Sequence, residues 1–176
     1  VTGAAVIIDD TSLQVVAALD LPIIRSRSLA WVDGVILTDW LEAFRPEIAI
    51  VELVTYWPGD RAMGNTTAMV RLAGGIESIL SSLSIPIVHA QPAAWKKRAG
   101  LRGKDKSASL ALARSRLSWP QGSAHLAKHH NRAEAGLIAL FGRAPAAPPK
   151  APKRSKAVDK LSAENVPPGL LFGVTP

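Results

Sequence analysis

The chain contains no cysteine, which excludes disulfide staples, thiolate zinc sites and a cysteine nucleophile. Any metal must be held by oxygen or imidazole. No apolar run approaches the roughly 18 residues needed to span a bilayer, and the N-terminus lacks the basic-then-apolar layout of a signal peptide. A cytoplasmic protein with no membrane partner is the expectation. Acidic residues are few, 14 against 21 Lys and Arg, which leaves a net charge of +7 and a pI near 10.1. A surplus of that sign points to a polyanionic partner, above all nucleic acid.

What the chain does have is apolar content. With 48% apolar and 20% charged residues it can bury a core, and 176 residues suit one domain with an appendage. Val1 to Ile8 and Leu13 to Leu19 read as a β-hairpin about the turn cluster Asp9-Asp10-Thr11-Ser12. Asp33 is placed to cap a helix carrying Val35, Ile36, Trp40, Leu41 and Phe44, with Pro46 ending it. Ile48 to Val54 is apolar at every position but one, as in a strand covered on both faces.

Thr55 to Gly64 reads as a loop, and Asn65 to Leu83 as a long helix whose Gly74-Gly75 pair allows close backbone approach. A short strand, Ile85 to His89, follows. Helices are expected over Pro92 to Ala99, Lys106 to Leu117 and Ala124 to Phe141. Residues 1–143 form the expected domain. Residues 144–176, rich in Ala, Pro, Lys and Arg near their start, read as a disordered tail with one helical turn before Pro167. The element order gives an α/β fold with a mixed sheet flanked by helices.

Three features carry chemistry. Glu52 is the single acid in an apolar strand, either paired with a cation or polar partner or, if the strand stops at Val51, merely solvated. On the helix starting near Lys128, His130 and Glu134 stand at i and i+4 and Asn131 and Glu134 at i and i+3, so either pair shares a face. His129 and His130 also fit a plain surface pair at a helix start. Between Trp95 and Arg116 lie eight basic residues (Lys96, Lys97, Arg98, Arg102, Lys104, Lys106, Arg114, Arg116) against Asp105 alone. Such a run is either a solvated face or, with its Gly-bearing loop, a phosphate-binding surface without base specificity. Trp57 fits base stacking and half-buried packing equally well.

Taken together, these segments resemble the RuvC family of Holliday junction resolvases, especially its phage-type members. Val1 to Ile7 is similar to the strand after the family's first catalytic motif, and Pro46 to Glu52 to the strand bearing its second carboxylate. Pro92-Ala93-Ala94-Trp95-Lys96-Lys97, with Gly103-Lys104-Asp105-Lys106-Ser107, resembles its basic stretch, and Asn131-Arg132-Ala133-Glu134-Ala135 its C-terminal helix motif.

The resemblance implies an RNase H-like fold, a homodimer, two Mg2+ or Mn2+ ions and paired nicks across a four-way DNA junction in recombination or repair. Glu52 and Glu134 would be metal ligands, with His130 or Asn131 a further one. Lys96 and Lys106 would act on the phosphate, and Lys97, Arg98, Arg102 and Lys104 would bind DNA. His130 and Asn131 stand where many members have an aspartate. The family's first catalytic aspartate lies upstream of Thr-Gly, whereas Thr2-Gly3 opens this chain. The first strand and its aspartate are therefore expected to be missing, and with them full activity, because Asp9 and Asp10 fall in the hairpin turn.

Two other classes compete. One is a non-catalytic, structure-selective DNA-binding protein on the same scaffold. The other, an actin-like nucleotide-binding protein, lacks support because no Gly-rich phosphate loop pairs with a strand.

Overall fold

The structure is a computed structural model that describes residues 3–27, 29–54, 63–123 and 127–143. The chain divides into two units, Val1–Ala144 and Pro145–Pro176, and every described residue belongs to the first. The expected tail over 144–176, most of the loop after Val54 with Trp57, and Val1 and Thr2 lie outside the described residues.

Strands β1 (Ala4–Asp9) and β2 (Gln14–Asp20) form the expected antiparallel hairpin, with a register shift between Ile7 and Ile8. Asp9 makes its turn: Oδ1 accepts from the backbone N–H groups of Thr11 and Ser12 and from the Ser12 hydroxyl. These bonds, those from Ser12 foremost, hold its carboxyl below the ordinary range. A second hairpin, β3 (Ile23–Ser26) with β4 (Leu29–Val32), was not expected from the sequence.

Helix α1 (Gly34–Phe44) begins where Asp33 accepts hydrogen bonds from Val35 and Ile36 N–H. It ends at Arg45, whose φ of 46° precedes Pro46. Its buried stripe is Leu37 and Leu41, one turn apart. Val35, Ile36 and Phe44, expected on that stripe, are exposed.

Strand β5 (Ala49–Glu52) pairs in parallel with β6 (Ile87–Ala90), in a register that sets Glu52 opposite Ala90. The long helix α2 (Met63–Ser82) connects them. Gly75 presses on β4, where an added Cβ would stand 3.0 Å from Val32, while Gly74 has nothing within 4 Å. Helices α3 (Pro92–Arg98), α4 (Lys106–Arg116) and α5 (His130–Phe141) follow, with a short 3-10 turn, Ala127–His129, leading into α5.

The α/β class is as expected, but one mixed sheet is not. Among the described residues the strands form three separate two-stranded pieces, β1-β2, β3-β4 and β5-β6, because no ladder links the antiparallel pairs to the parallel one. Side-chain alternation makes β5 the divide between two cores. Ala49 and Val51 pack on the cluster of Val32, Leu37, Leu41, Leu72 and Leu80. Ile50 packs on the cluster of Ala90, Trp95, Leu101, Leu110, Ala113, Ala133 and Leu137. Both faces are thus covered by apolar groups, as the uninterrupted run Ile48 to Val51 implies, although each β5 residue is half-buried rather than buried.

Candidate active site

Glu52 ends β5 and, two residues from Ile50, shares its face. That face looks toward α3, where Trp95 is 0% exposed and its indole N–H donates to Glu52 Oε1 at 2.8 Å. The anomalous acid is therefore half-buried and partnered, not simply solvated. Trp95, from its place in the sequence the head of the basic run, is instead part of the core. Its neighbour Lys96 lies over the indole ring, with Nζ 5.3 Å from the centroid, inside the range of a cation–π contact.

Glu134 lies on α5 one turn after His130 and is half-buried, between the buried Ala133 and Gly136. Close packing explains the small residues here, since a Cβ on Gly136 would stand 2.8 Å from Leu117. Ser109, 3% exposed on α4, donates to Glu134 Oε1 at 3.4 Å. Earlier along both helices, Lys106 Nζ stands 3.2 Å from His130 Nε2. An ammonium can only donate, so a hydrogen bond here runs from Lys106 to the imidazole. The two contacts advance together, so α4 and α5 are in step.

The N-terminus of α4 is shaped by Asp105, which accepts from Ala108 N–H and the Ser107 hydroxyl. Those bonds, the Ser107 hydroxyl first, lower its pKa from the ordinary value. Gly100 and Gly103, with φ of 70° and 73°, turn the loop between α3 and α4. Lys97, Arg98, Arg102, Lys104 and Lys106 are exposed along this segment and Lys96 is half-exposed. Arg98 is partly committed, donating Nε–H to the Phe141 carbonyl at 2.7 Å. Arg114 and Arg116 lie in the last turn of α4, where cations suit the helix dipole.

The start of α5 is anchored by a contact that the sequence did not suggest. Arg132 Nε and Nη2 donate to the two carboxylate oxygens of Asp20, each at 2.7 Å. The bond from Arg132 holds the Asp20 carboxyl below its ordinary range, and Asp20 in turn raises Arg132. The other two aspartates of the first hairpin are also engaged. Asp9 is held in its own turn, and Asp10 pairs with Arg143 at 3.2 Å.

Two bridging Mg2+ ions need about three or four acidic ligands. Among the described residues no three His, Asp or Glu side chains come together around one ion position. His130 lies against Lys106, and Glu52 and Glu134 each have a separate donor. The described donor set therefore does not fit the two-ion site implied by the resemblance. What it does supply is two oriented carboxylates at the border of a basic surface.

No protein-family model matches the chain, and no curated protein matches it. A solved structure, T. thermophilus RuvC in complex with a Holliday junction substrate, matches with a TM-score of 0.52 at 10% identity, covering 80% of this chain and 92% of that one. The chain has a RuvC-like fold. A second Thermus thermophilus RuvC structure matches at 16% identity with a TM-score of 0.40, over 81% of this chain and 97% of that one. At such identities the RuvC likeness concerns the fold, and the roles of Glu52, Glu134 and the lysines rest on this chain's own side chains. No helix among the described residues is long and apolar enough to cross a membrane.

Proposed function

We propose that the protein is a structure-selective endonuclease that binds four-way DNA junctions and nicks them in recombination or phage DNA processing, inside a bacterial or phage-infected cell. The observation that carries this reading is the contact between the basic segment and the carboxylates. Trp95 heads the run and bonds Glu52, and Ser109, on the helix opened by Lys106, bonds Glu134. A RuvC-like fold solved with a Holliday junction supports the choice of branched DNA.

In this reading Lys96, Lys97, Arg98, Arg102 and Lys104 grip phosphates, which gives affinity without base reading. Lys106 places a positive charge at the scissile phosphate, where a developing negative charge is stabilised. Residues 1–143 are the nuclease unit, working as a homodimer with a divalent cation, and 144–176 are an appendage.

The test is a synthetic four-way junction. Binding is expected to weaken steeply between low and moderate salt, because each neutralised phosphate releases condensed counterions. Mg2+ or Mn2+ is expected to support paired nicks. Salt-independent affinity, or equal affinity for junction and duplex, would remove the reading. The second reading, a junction-binding protein without nuclease activity, is favoured by the absence of a three-donor group among the described residues. Tight junction binding with no cleavage in either metal selects it.

A further inference from the structure

Among the residues that line the core beside Glu52, Trp95 has more than a packing role. Its buried cluster partners Ala90, Leu101, Leu110, Ala113, Ala133 and Leu137 are all aliphatic, with Trp119 and Phe141 packed against them from partly buried positions, so packing at the centre requires no polar atom. An indole brings an N–H that can only donate and that needs a partner when buried. Here the partner is Glu52 Oε1 at 2.8 Å, reached across 43 residues of chain. Lys96 Nζ stands over the face of the same ring, 5.3 Å from its centroid. One rigid ring, fully enclosed, thus joins a carboxylate at its edge to a cation of the basic segment on its face.

We propose that Trp95 is a positioning residue, which holds the Glu52 carboxylate in one orientation and couples that orientation to the lysine next to it. A glutamate at a strand end has several rotamers. A single strong donor selects one of them before substrate arrives, and leaves Oε2 for a partner other than the indole. Phosphate capture at Lys96 and the pose of Glu52 then share a support, so a change at either reaches the same ring. The kinetic part of this inference rests on the proposed nuclease function; the hydrogen bond itself does not.

The experiment uses the full chain labelled with 15N, whose five tryptophans give five indole N–H signals. Trp95→Phe identifies its signal by loss. Replacing Trp95 with benzothienylalanine, which has sulfur in place of N–H and nearly the same shape, removes the donor while keeping the ring packed. Glu52→Gln is expected to move the Trp95 signal, whereas Asp39→Asn, on helix α1 whose buried residues belong to the other core cluster, leaves it in place. Junction DNA is expected to shift the signal in the unaltered chain and to shift it less in Lys96→Ala.

With benzothienylalanine, single-turnover cleavage at saturating junction is expected to fall by about tenfold or more while affinity holds within about twofold, the scale seen when a partner that orients an acting side chain is lost. An indole signal unmoved by Glu52→Gln, or cleavage at the original rate without the N–H, overturns the proposal. If the unaltered chain cuts no junction, the nuclease reading fails. The indole signal then decides the positioning role alone: it stands if Glu52→Gln moves the signal and falls if not.

Discussion

The two cores on either side of β5 differ in what they bury. On the side of Leu37, Leu41, Leu72 and Leu80 the buried residues are aliphatic, with Trp40 packed against them, and α1 and α2 supply most of them. On the side of Trp95, Leu110 and Leu137 apolar groups are interleaved with polar contacts: Trp95 to Glu52, Ser109 to Glu134, and Trp119 N–H to the Ala113 carbonyl. Glu52 and Glu134 both find their donors on this second side. A core needs only volume and apolar surface to be stable, whereas partly buried carboxylates need donors with good geometry. The first side is a scaffold, and the second orients functional groups.

The largest expected effect breaks the second side without touching the basic surface. Glu52→Gln and Glu134→Gln keep shape and lose charge. Each is expected to lower junction cleavage by about a thousandfold or more, a loss of transition-state stabilisation rather than of binding, with junction affinity within a few-fold in a gel-shift titration. A Glu134→Gln protein that still cuts would exclude that carboxylate. Lys106→Ala comes next. Its expected loss is up to about a hundredfold in cleavage, on the scale of a lost oxyanion donor, with a smaller loss in binding. Equal losses would assign Lys106 to grip instead of chemistry.

The same division explains how much could be read from the sequence. Hairpin β1-β2, the capped α1, the apolar β5 and the helices after it were legible because each depends on local signals: a turn cluster, an N-cap Asp33, a run without polar residues. Glu52 stood out for the same reason, as the one acid in that run. Hairpin β3-β4 was not legible, because its strands have four residues each and its outward positions are the large ones. Leu29 and Trp31 are exposed while Ala30 and Val32 are buried, which inverts the usual pattern. The α1 stripe read from the sequence, Val35, Ile36, Trp40, Leu41 and Phe44, omits Leu37, whereas Leu37 and Leu41 are the buried pair and Trp40 packs against their cluster. The partners of Trp95 and Arg132 lie 43 and 112 residues away, and no local pattern announces contacts of that range.

A scaffold mutation sharpens the comparison from the opposite side. Leu37 is 2% exposed, and Leu37→Ala is expected to lower unfolding stability by about 3 kcal/mol through lost burial and the cavity left behind. Measured where the variant is still folded, its junction affinity and cleavage should match those of the unaltered chain. If cleavage falls while the folded fraction is intact, the two sides are not independent.

The smallest expected effect lies where the first hairpin meets the second side. The Asp20 side chain is 65% exposed and that of Arg132 is 22% exposed, so solvent screens the pair and places its worth near the top of the exposed range, about 1 kcal/mol. The sign with pH follows from the lowered Asp20 pKa, whose first cause is the bond from Arg132. A carboxyl depressed in the folded state stabilises fully above its unfolded value, about 3.9, and loses that contribution as pH falls through the lower folded value. Asp20→Asn is therefore expected to cost about 1 kcal/mol in urea unfolding at neutral pH and progressively less below about pH 4, until variant and unaltered chain coincide in strong acid. Arg132 is two residues from His130 and from Glu134 on α5. Releasing it should therefore loosen the start of that helix and lower cleavage by a few-fold, without the collapse expected of Glu134→Gln. A stability difference that persists unchanged into strong acid would mean that the bridge acts through shape rather than charge. Unaltered cleavage in Asp20→Asn would mean that Ser109 and the packing at Gly136 are enough to hold Glu134 in place.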